Sequence, residues 1–184
     1  VRAATSSTAV AVAVLFAGVD PTESHARLHS APLIWEYARQ AGYDTAYWTS
    51  QNLMFGNSRL WVQDIPLAHF AAGTDLDPHC DTLTGADDEL LVSHALATLP
   101  ELREPFFAVV HFSNIHRPRI VDAARAPFQP TQLSDEGPGG LLRRNYYLNA
   151  VHRSDLAVAR LVEQLRAMEL GKRTVLFYTA DHGE

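Results

Sequence analysis

Cysteine is almost missing from this sequence. Cys80 stands alone, so no internal disulfide can hold the fold, and the redox compartment is left open. Basic residues are in the minority, with 15 Lys and Arg against 21 Asp and Glu for a formal net charge of −6, and they form no run. That argues against nucleic acid as a partner, because neutralising a phosphate backbone needs a basic face. A transmembrane helix needs about 20 consecutive apolar residues, and no run of that length occurs. The longest candidate, Ala9 to Gly18, follows Arg2 and has the length of a secretory signal's apolar core. What is present is ordinary: 47% of the 184 residues are hydrophobic, which fits one globular domain and excludes disordered, collagen-like and disulfide-dense chains. The chain opens at Val1 rather than Met and stops at Glu184 just after an apolar run, so both ends look cut from a longer protein.

Three apolar runs have strand length and β-rich composition: Tyr43 to Thr49, Phe106 to Phe112 and Thr174 to Thr179. Helical patterns lie between them. Pro32 to Ala41 has Pro near its first turn and Gly42 as its stop. Asp87 to Leu99 begins with acidic residues and closes before Pro100. The longest, about Leu141 to Leu170, sets Tyr147, Val151, Val158, Val162 and Leu165 on one stripe, with Gly171 as its stop. On that register Arg143, Arg144, His152, Arg153 and Arg160 mostly face solvent.

Alternating strands and helices predict an α/β fold, a mostly parallel sheet flanked by helices on both faces. Such sheets bind ligands at the carboxyl ends of their strands. The residues found there are Ser50-Gln51-Asn52, Ser113-Asn114-Ile115-His116 and Ala180-Asp181-His182, so three strand ends converge on one rim. From Arg117 to Gly140, Pro118, Pro127, Pro130 and Pro138 join Gly137, Gly139 and Gly140 without periodicity. This stretch reads either as a flap over the strand ends or as a disordered excursion.

Three places carry chemistry. In Thr179-Ala180-Asp181-His182-Gly183-Glu184, a carboxylate and an imidazole on adjacent turn residues can face one ion, though a polar turn with a hydrogen-bonded His reads equally from these residues. Thr5-Ser6-Ser7-Thr8 precedes an apolar helical run. Hydroxyls there commonly cap helices, and a Thr at a helix N-terminus also sits where the free N–H groups and macrodipole favour a phosphate. Its hydroxyl needs a metal or a base to become a nucleophile. His116, in Asn114-Ile115-His116-Arg117-Pro118, can donate to a phosphoryl oxygen or protonate a leaving alkoxide, with Arg117 and Arg119 adding anion attraction.

Taken in order, these segments resemble the alkaline-phosphatase superfamily in its sulfatase-like branch. The resemblance runs from Thr8 through Leu15-Phe16-Ala17-Gly18-Val19-Asp20-Pro21, Ala41-Gly42-Tyr43-Asp44-Thr45-Ala46, Phe106-Phe107 and His116-x-Pro118. It continues through Tyr147-Leu148-Asn149-Ala150-Val151 with Asp155 to the closing Asp181-His182-Gly183-Glu184. Counting ten residues back from Gly18 puts Thr8 at the family's nucleophile position. Val10 and Val12 stand where a formylglycine maturation signal has Pro and Arg.

A Thr followed by Ala there is similar to phosphoethanolamine and phosphoglycerol transferases, which form a covalent phospho-threonine intermediate. The resemblance implies Thr8 as nucleophile and metal ligand, Asp181 and His182 as metal ligands, and His116 as the phosphoryl contact. Glu184 matches the family's motif without being required at the metal, and Asp155 is left as a structural helix residue. It implies a divalent metal, zinc first and manganese or calcium as alternatives. The substrate is a phosphate or sulfate ester, such as a phospholipid headgroup. The parent would be an extracytoplasmic, membrane-anchored enzyme, of which residues 1–184 are a partial catalytic domain lacking an upstream metal carboxylate and a downstream ligand. Phosphoethanolamine enzymes carry several disulfides, so the single Cys80 leaves the phosphoglycerol type open. A sulfatase or phosphonate monoester hydrolase, a sugar-phosphate mutase and a degenerate noncatalytic domain are the alternative readings.

Overall fold

The computed structural model describes residues 5–54, 57–65, 67–137 and 139–183. Glu184 lies outside them. The framework is a three-stranded parallel sheet of order β2-β1-β3, with β1 Asp44–Thr49, β2 His69–Ala71 and β3 Phe106–His111. In β1, side chains alternate between the two faces, and both faces are buried, as expected of a parallel sheet under helices.

Tyr47 packs with Phe16 of α1 (Thr8–Ala17) and Trp35 of α3 (Ile34–Gln40) on one side. Between these helices runs the short α2 (His25–Ser30). Ala46 and Trp48 pack on the other side with Leu91 and Ala95 of α6 (Asp88–Thr98) and Leu165 of α7 (Gly140–Ala167). Two single turns, α4 (Arg59–Val62) and α5 (Gly73–Leu76), flank β2. The α/β architecture read from the pattern is therefore present, with helices on both faces.

Local chemistry explains the boundaries. Ala9 to Gly18 is the body and stop of α1, and its apolar composition is accounted for by packing: Ala11, Ala13 and Phe16 are buried. Gly18 ends the helix in the left-handed region at φ 63°, its N–H donating to the Val14 carbonyl at 2.8 Å. The α3 helix opens with the Glu36 carboxylate accepting from Leu33 N at 2.7 Å. Helix α6 starts where the Asp87 carboxylate accepts from Glu89 N at 2.9 Å. Among the described residues, no helix is long and apolar enough to cross a membrane.

Three sequence expectations are corrected. Thr174 to Thr179 is not a strand: it runs outside the sheet, with Phe177 89% and Tyr178 76% exposed. An apolar, β-prone segment becomes a strand only beside a partner's free hydrogen-bonding edge, and none of the described strands pairs with it.

The buried stripe of α7 is also rotated from the apolar one. It carries Tyr146, Ala150, Ala157, Leu161 and Leu165 with the polar Asn145, Asn149 and Ser154, whereas Tyr147, Val151, Val158 and Val162 are half-buried. The polar members hold the 117–140 loop. Tyr146 Oη accepts from Arg119 N and donates to its carbonyl, Asn149 brackets both backbone groups of Phe128, and Asn145 donates to Pro130 O. The described part of that loop is thus pinned along α7 rather than a disordered excursion.

Arg153, expected in solvent, is partly covered instead, and both it and the exposed Arg160 clasp the start of α6. Arg153 binds Asp87 and donates to Asn114, and Arg160 pairs with Glu89 at 2.7 Å.

The carboxyl ends of β1 and β3 are joined through buried Asp88. Its Oδ1 accepts from Ser50 Oγ at 2.6 Å and from Ser113 N at 3.2 Å, and its own N–H donates to Asn114 Oδ1 at 2.8 Å. Gly85 makes this closure possible: at φ +78° its chain lies so near the Ser50 carbonyl that a Cβ would stand 2.0 Å from that oxygen. Burial raises the Asp88 carboxyl above its ordinary value of 3.8, against the lowering effect of the Ser50 hydrogen bond. The folded chain therefore holds this proton more tightly than the unfolded one. Its contribution to stability is complete below 3.8 and is lost as pH rises through the raised folded value.

In urea denaturation stepped from about pH 4 to about pH 8, the stability of Asp88→Asn relative to wild type should rise with pH. Asp88→Ala should cost about 1–3 kcal/mol by leaving buried donors unpaired. A pH-independent difference for Asp88→Asn would rule out this titration.

Candidate active site

Ser7, extended at φ −121° and ψ 119°, occupies the cap position of α1, and its side chain makes no capping bond. Thr8 is the first helical residue. Its hydroxyl is not used in capping: Oγ1 lies 2.8 Å from His182 Nε2, a contact across 174 positions of sequence. The direction of this bond follows from the other ring nitrogen. His182 Nδ1 is 2.9 Å from the Gly183 carbonyl, which can only accept, so Nδ1 carries a proton. In the neutral ring Nε2 is then the acceptor, and the Thr8 hydroxyl donates to it. The same Nε2 lone pair is the one that would bind a metal.

Asp181 completes the cluster, with Oδ2 3.6 Å from His182 Nε2. Side chains 181 and 182 are mostly covered, at 26% and 15% exposure. The extended 174–183 segment, although not a strand, still delivers its polar end to the carboxyl rim of the sheet. Beneath it lies His111, the last residue of β3. Its Nδ1 is 3.1 Å from Tyr47 Oη and 3.2 Å from Thr49 Oγ1, and its ring meets Phe16 edge-on at 6.4 Å. Burial lowers the His111 pKa from its ordinary value, while the Asp181 charge opposes that shift. Burial likewise pushes the Tyr47 phenol up. A neutral polar floor therefore lies under the acid and imidazole.

His111, Tyr47 and Thr49 did not emerge as site residues from the sequence. The available signal was a lone His closing the apolar run Phe106 to Phe112, with Tyr47 and Thr49 at strand spacing on β1.

The structure thus brings Thr8, Asp181 and His182 together. His116 is held separately, on the loop after β3, with Nδ1 2.7 Å from the Arg117 carbonyl. By the same argument Nδ1 donates there, and Nε2 can donate only when the ring is protonated. Asn114 fixes the loop, accepting from Asp88 N and donating to Ala86 O. Asp155 is exposed on α7, away from the buried stripe.

Among the described residues, no three His, Cys, Asp or Glu side chains form a metal-ligating group. The third donor here is a hydroxyl. Two ligands of a tetrahedral ion with bonds of about 2.0 Å stand roughly 3.3 Å apart. The 2.8 Å and 3.6 Å separations around His182 Nε2 straddle that value. The donor set, one imidazole with oxygen atoms, is compatible with a divalent cation and leaves coordination positions open.

A family model described as Sulfatase matches residues 1–184. No curated protein sequence matches the chain significantly. Among solved structures, the chain is similar to the lipoteichoic acid synthase LtaP from Listeria monocytogenes, with a TM-score of 0.66, 17% identity and 89% of this chain covered. It is similar to a Vibrio parahaemolyticus protein of the alkaline phosphatase superfamily, with a TM-score of 0.65, 16% identity and 91% covered. It also resembles the C-terminal periplasmic domain of Escherichia coli EptC in complex with Zn, with a TM-score of 0.58, 21% identity and 80% covered. The chain spans 41% of each of these solved chains. At such identity the likeness establishes the fold.

Three protein donors imply modest affinity. Calorimetric titration of the 184-residue chain with zinc and with manganese should give micromolar or weaker binding that His182→Ala removes. Nanomolar binding, or binding indifferent to His182, would contradict this donor set.

Proposed function

Because the chain belongs to the sulfatase family, we propose that it is part of the catalytic domain of a metal-dependent phosphoryl-headgroup transferase or phosphoesterase with Thr8 as its nucleophile. The observation that supports this most is the 2.8 Å approach of Thr8 Oγ1 to His182 Nε2, which sets the hydroxyl and the imidazole lone pair close enough to share one cation, at the point where the α1 N-terminus favours negative charge.

A divalent cation, zinc by the donor chemistry, would be held by Thr8, Asp181 and His182, and would lower the hydroxyl pKa and offset phosphoryl charge. Thr8 Oγ1, its proton released to solvent, attacks phosphorus, a P–O bond to the leaving alkoxide breaks, and the phosphoryl group is carried on Thr8. The N–H groups of Thr8 and Ala9, which precede the first amides bonded to the Ser7 carbonyl, attract its oxygens. His116 contacts the phosphoryl group and, in its protonated form, supplies the proton that the leaving alkoxide takes up. Transfer to an acceptor alcohol, or to water in a phosphoesterase, reverses these steps and frees Thr8.

The substrate is a phosphate ester of the lipid-headgroup kind. The likeness in fold to a lipoteichoic acid synthase supports that choice. By the same reasoning the whole protein works outside the cytoplasm and is membrane-anchored through other segments. Sulfate-ester chemistry through formylglycine is disfavoured by Thr8, Val10 and Val12, although a sulfatase or phosphonate monoester hydrolase of this fold remains the second reading.

With bis(p-nitrophenyl) phosphate and zinc, Thr8→Ala should lower turnover by at least about a hundredfold. Thr8→Ser should retain part of the activity. Intact-mass measurement during turnover should find one nitrophenylphosphoryl adduct, mapped to Thr8. Undiminished turnover in Thr8→Ala would reduce this residue to a helix-terminal role.

A further inference from the structure

Beside Thr8 is a small cavity that plays no part in the attack on phosphorus. It lies between α1 and the segment that follows β1 and has a volume of about 30 Å³, room for about two water-sized groups. Thr8, Phe16, Tyr47, Gln51, Ser58 and Trp61 line it together with aliphatic side chains. Among the described residues, none that lines it carries a charge. A group attached to phosphorus at Thr8 stands at this cavity, so its lining bears on which ester the site accepts.

Gln51 brings an amide to that lining and is only 8% exposed. Its backbone is committed, the N–H donating to Thr49 Oγ1 at 3.0 Å and the carbonyl accepting from Gly73 N at 2.8 Å. The side-chain amide has no hydrogen-bond partner among the described residues. The hydroxyls of Thr8 and Tyr47, by contrast, are already engaged by His182 and His111. Leaving a buried amide without partners is unfavourable. A hydroxyl both donates and accepts, and so matches the two ends of the amide. A methyl group matches neither end. An ammonium group satisfies the acceptor alone and loses its hydration in a lining that offers no carboxylate.

We propose that Gln51 is a specificity-determining residue: its amide binds the terminal hydroxyl of a small, uncharged hydroxyalkyl group carried on the phosphorus, and the cavity rejects an aminoalkyl group of the same size. This role in the reaction rests on Thr8 as nucleophile. The binding preference itself stands on the cavity and its unpaired amide.

Three dialkyl phosphates that differ in one terminal group test this: methyl 2-hydroxyethyl, methyl propyl and methyl 2-aminoethyl phosphate. Their alkoxides are poor leaving groups, so each ester is bound rather than consumed. Each is titrated calorimetrically into the zinc-loaded chain as wild type, Gln51→Leu and Gln51→Glu. In the same titrations the side-chain NH2 resonances of Gln51, identified by their loss in Gln51→Leu, are followed by NMR. Leu and Glu are close to Gln in size, and thermal melting verifies that each variant is folded. The wild-type resonances carry the test should a variant fail to fold.

Wild type is expected to bind the hydroxyethyl ester about threefold to tenfold more tightly than the propyl ester and at least about tenfold more tightly than the aminoethyl ester. The Gln51 resonances should move most with the hydroxyethyl ester. Gln51→Leu should lose the first preference, and Gln51→Glu should turn the second in favour of the aminoethyl ester. Equal binding of the three esters, Gln51 resonances that stay in place, or no binding of any ester overturns the assignment. If Thr8→Ala turns over bis(p-nitrophenyl) phosphate undiminished while the Gln51 preferences persist, the nucleophile fails and the binding site stands. A covalent adduct on Thr8 without those preferences keeps the nucleophile and removes the role of Gln51.

Discussion

The proposed chemistry depends on one contact: a hydroxyl on the first turn of α1 meets an imidazole at the far end of the chain, 2.8 Å apart. It requires both segments to reach the same edge of the sheet. Helix α1 is held there by Phe16, whose ring lies against Trp35, Tyr47 and His111. Gly18 turns the chain away immediately afterwards. The 174–183 segment reaches the rim without pairing into the sheet, with Asp181 close enough to His111 for its charge to act on that ring. Because both His182 and His116 point Nδ1 at the carbonyl of the next residue, Nδ1 carries the proton of the neutral ring in each and Nε2 is left as the acceptor. Short backbone turns thus set the chemistry of both rings.

The rim is held by polar bonds rather than by apolar packing alone. Asp88 binds the ends of β1 and β3, Asn114 ties the following loop to α6, and Arg153 links that loop to α7. Burying a carboxylate is unfavourable unless its hydrogen bonds are supplied. Here two donors converge on one oxygen of Asp88. The arrangement leaves the loop carrying His116 and Arg117 fixed at its base, and the residues beyond it are strung along α7 by Tyr146, Asn145 and Asn149. The candidate active site lies on this scaffold.

The parts of this plan legible in the sequence were those with local causes. The strands at 44–49 and 106–111 announced themselves by β-branched and aromatic composition, and α6 by its acidic start. Where a cause is long-range, local reading failed. Thr174 to Thr179 has strand composition, but strand formation depends on a neighbouring edge that composition does not encode. The α7 stripe was misplaced because apolar periodicity assumes an apolar partner, whereas Asn145, Tyr146 and Asn149 are buried to satisfy loop backbone. Asp88 read as one more helix-start acid, since its partners Ser50 and Ser113 are distant in sequence. A shared metal could link Thr8 with Asp181 and His182 on chemistry alone, but only the resemblance to a family singled that pairing out. Spacing alone left a capping residue and a polar turn.

The account rests on Thr8, Asp181 and His182 sharing one cation. Crystals of the protein soaked in zinc and measured at the zinc absorption edge test this directly. An anomalous peak within about 2.5 Å of both Thr8 Oγ1 and His182 Nε2 is the predicted result. Zinc found only elsewhere, with the Thr8 hydroxyl still hydrogen-bonded to an unliganded His182, would contradict it.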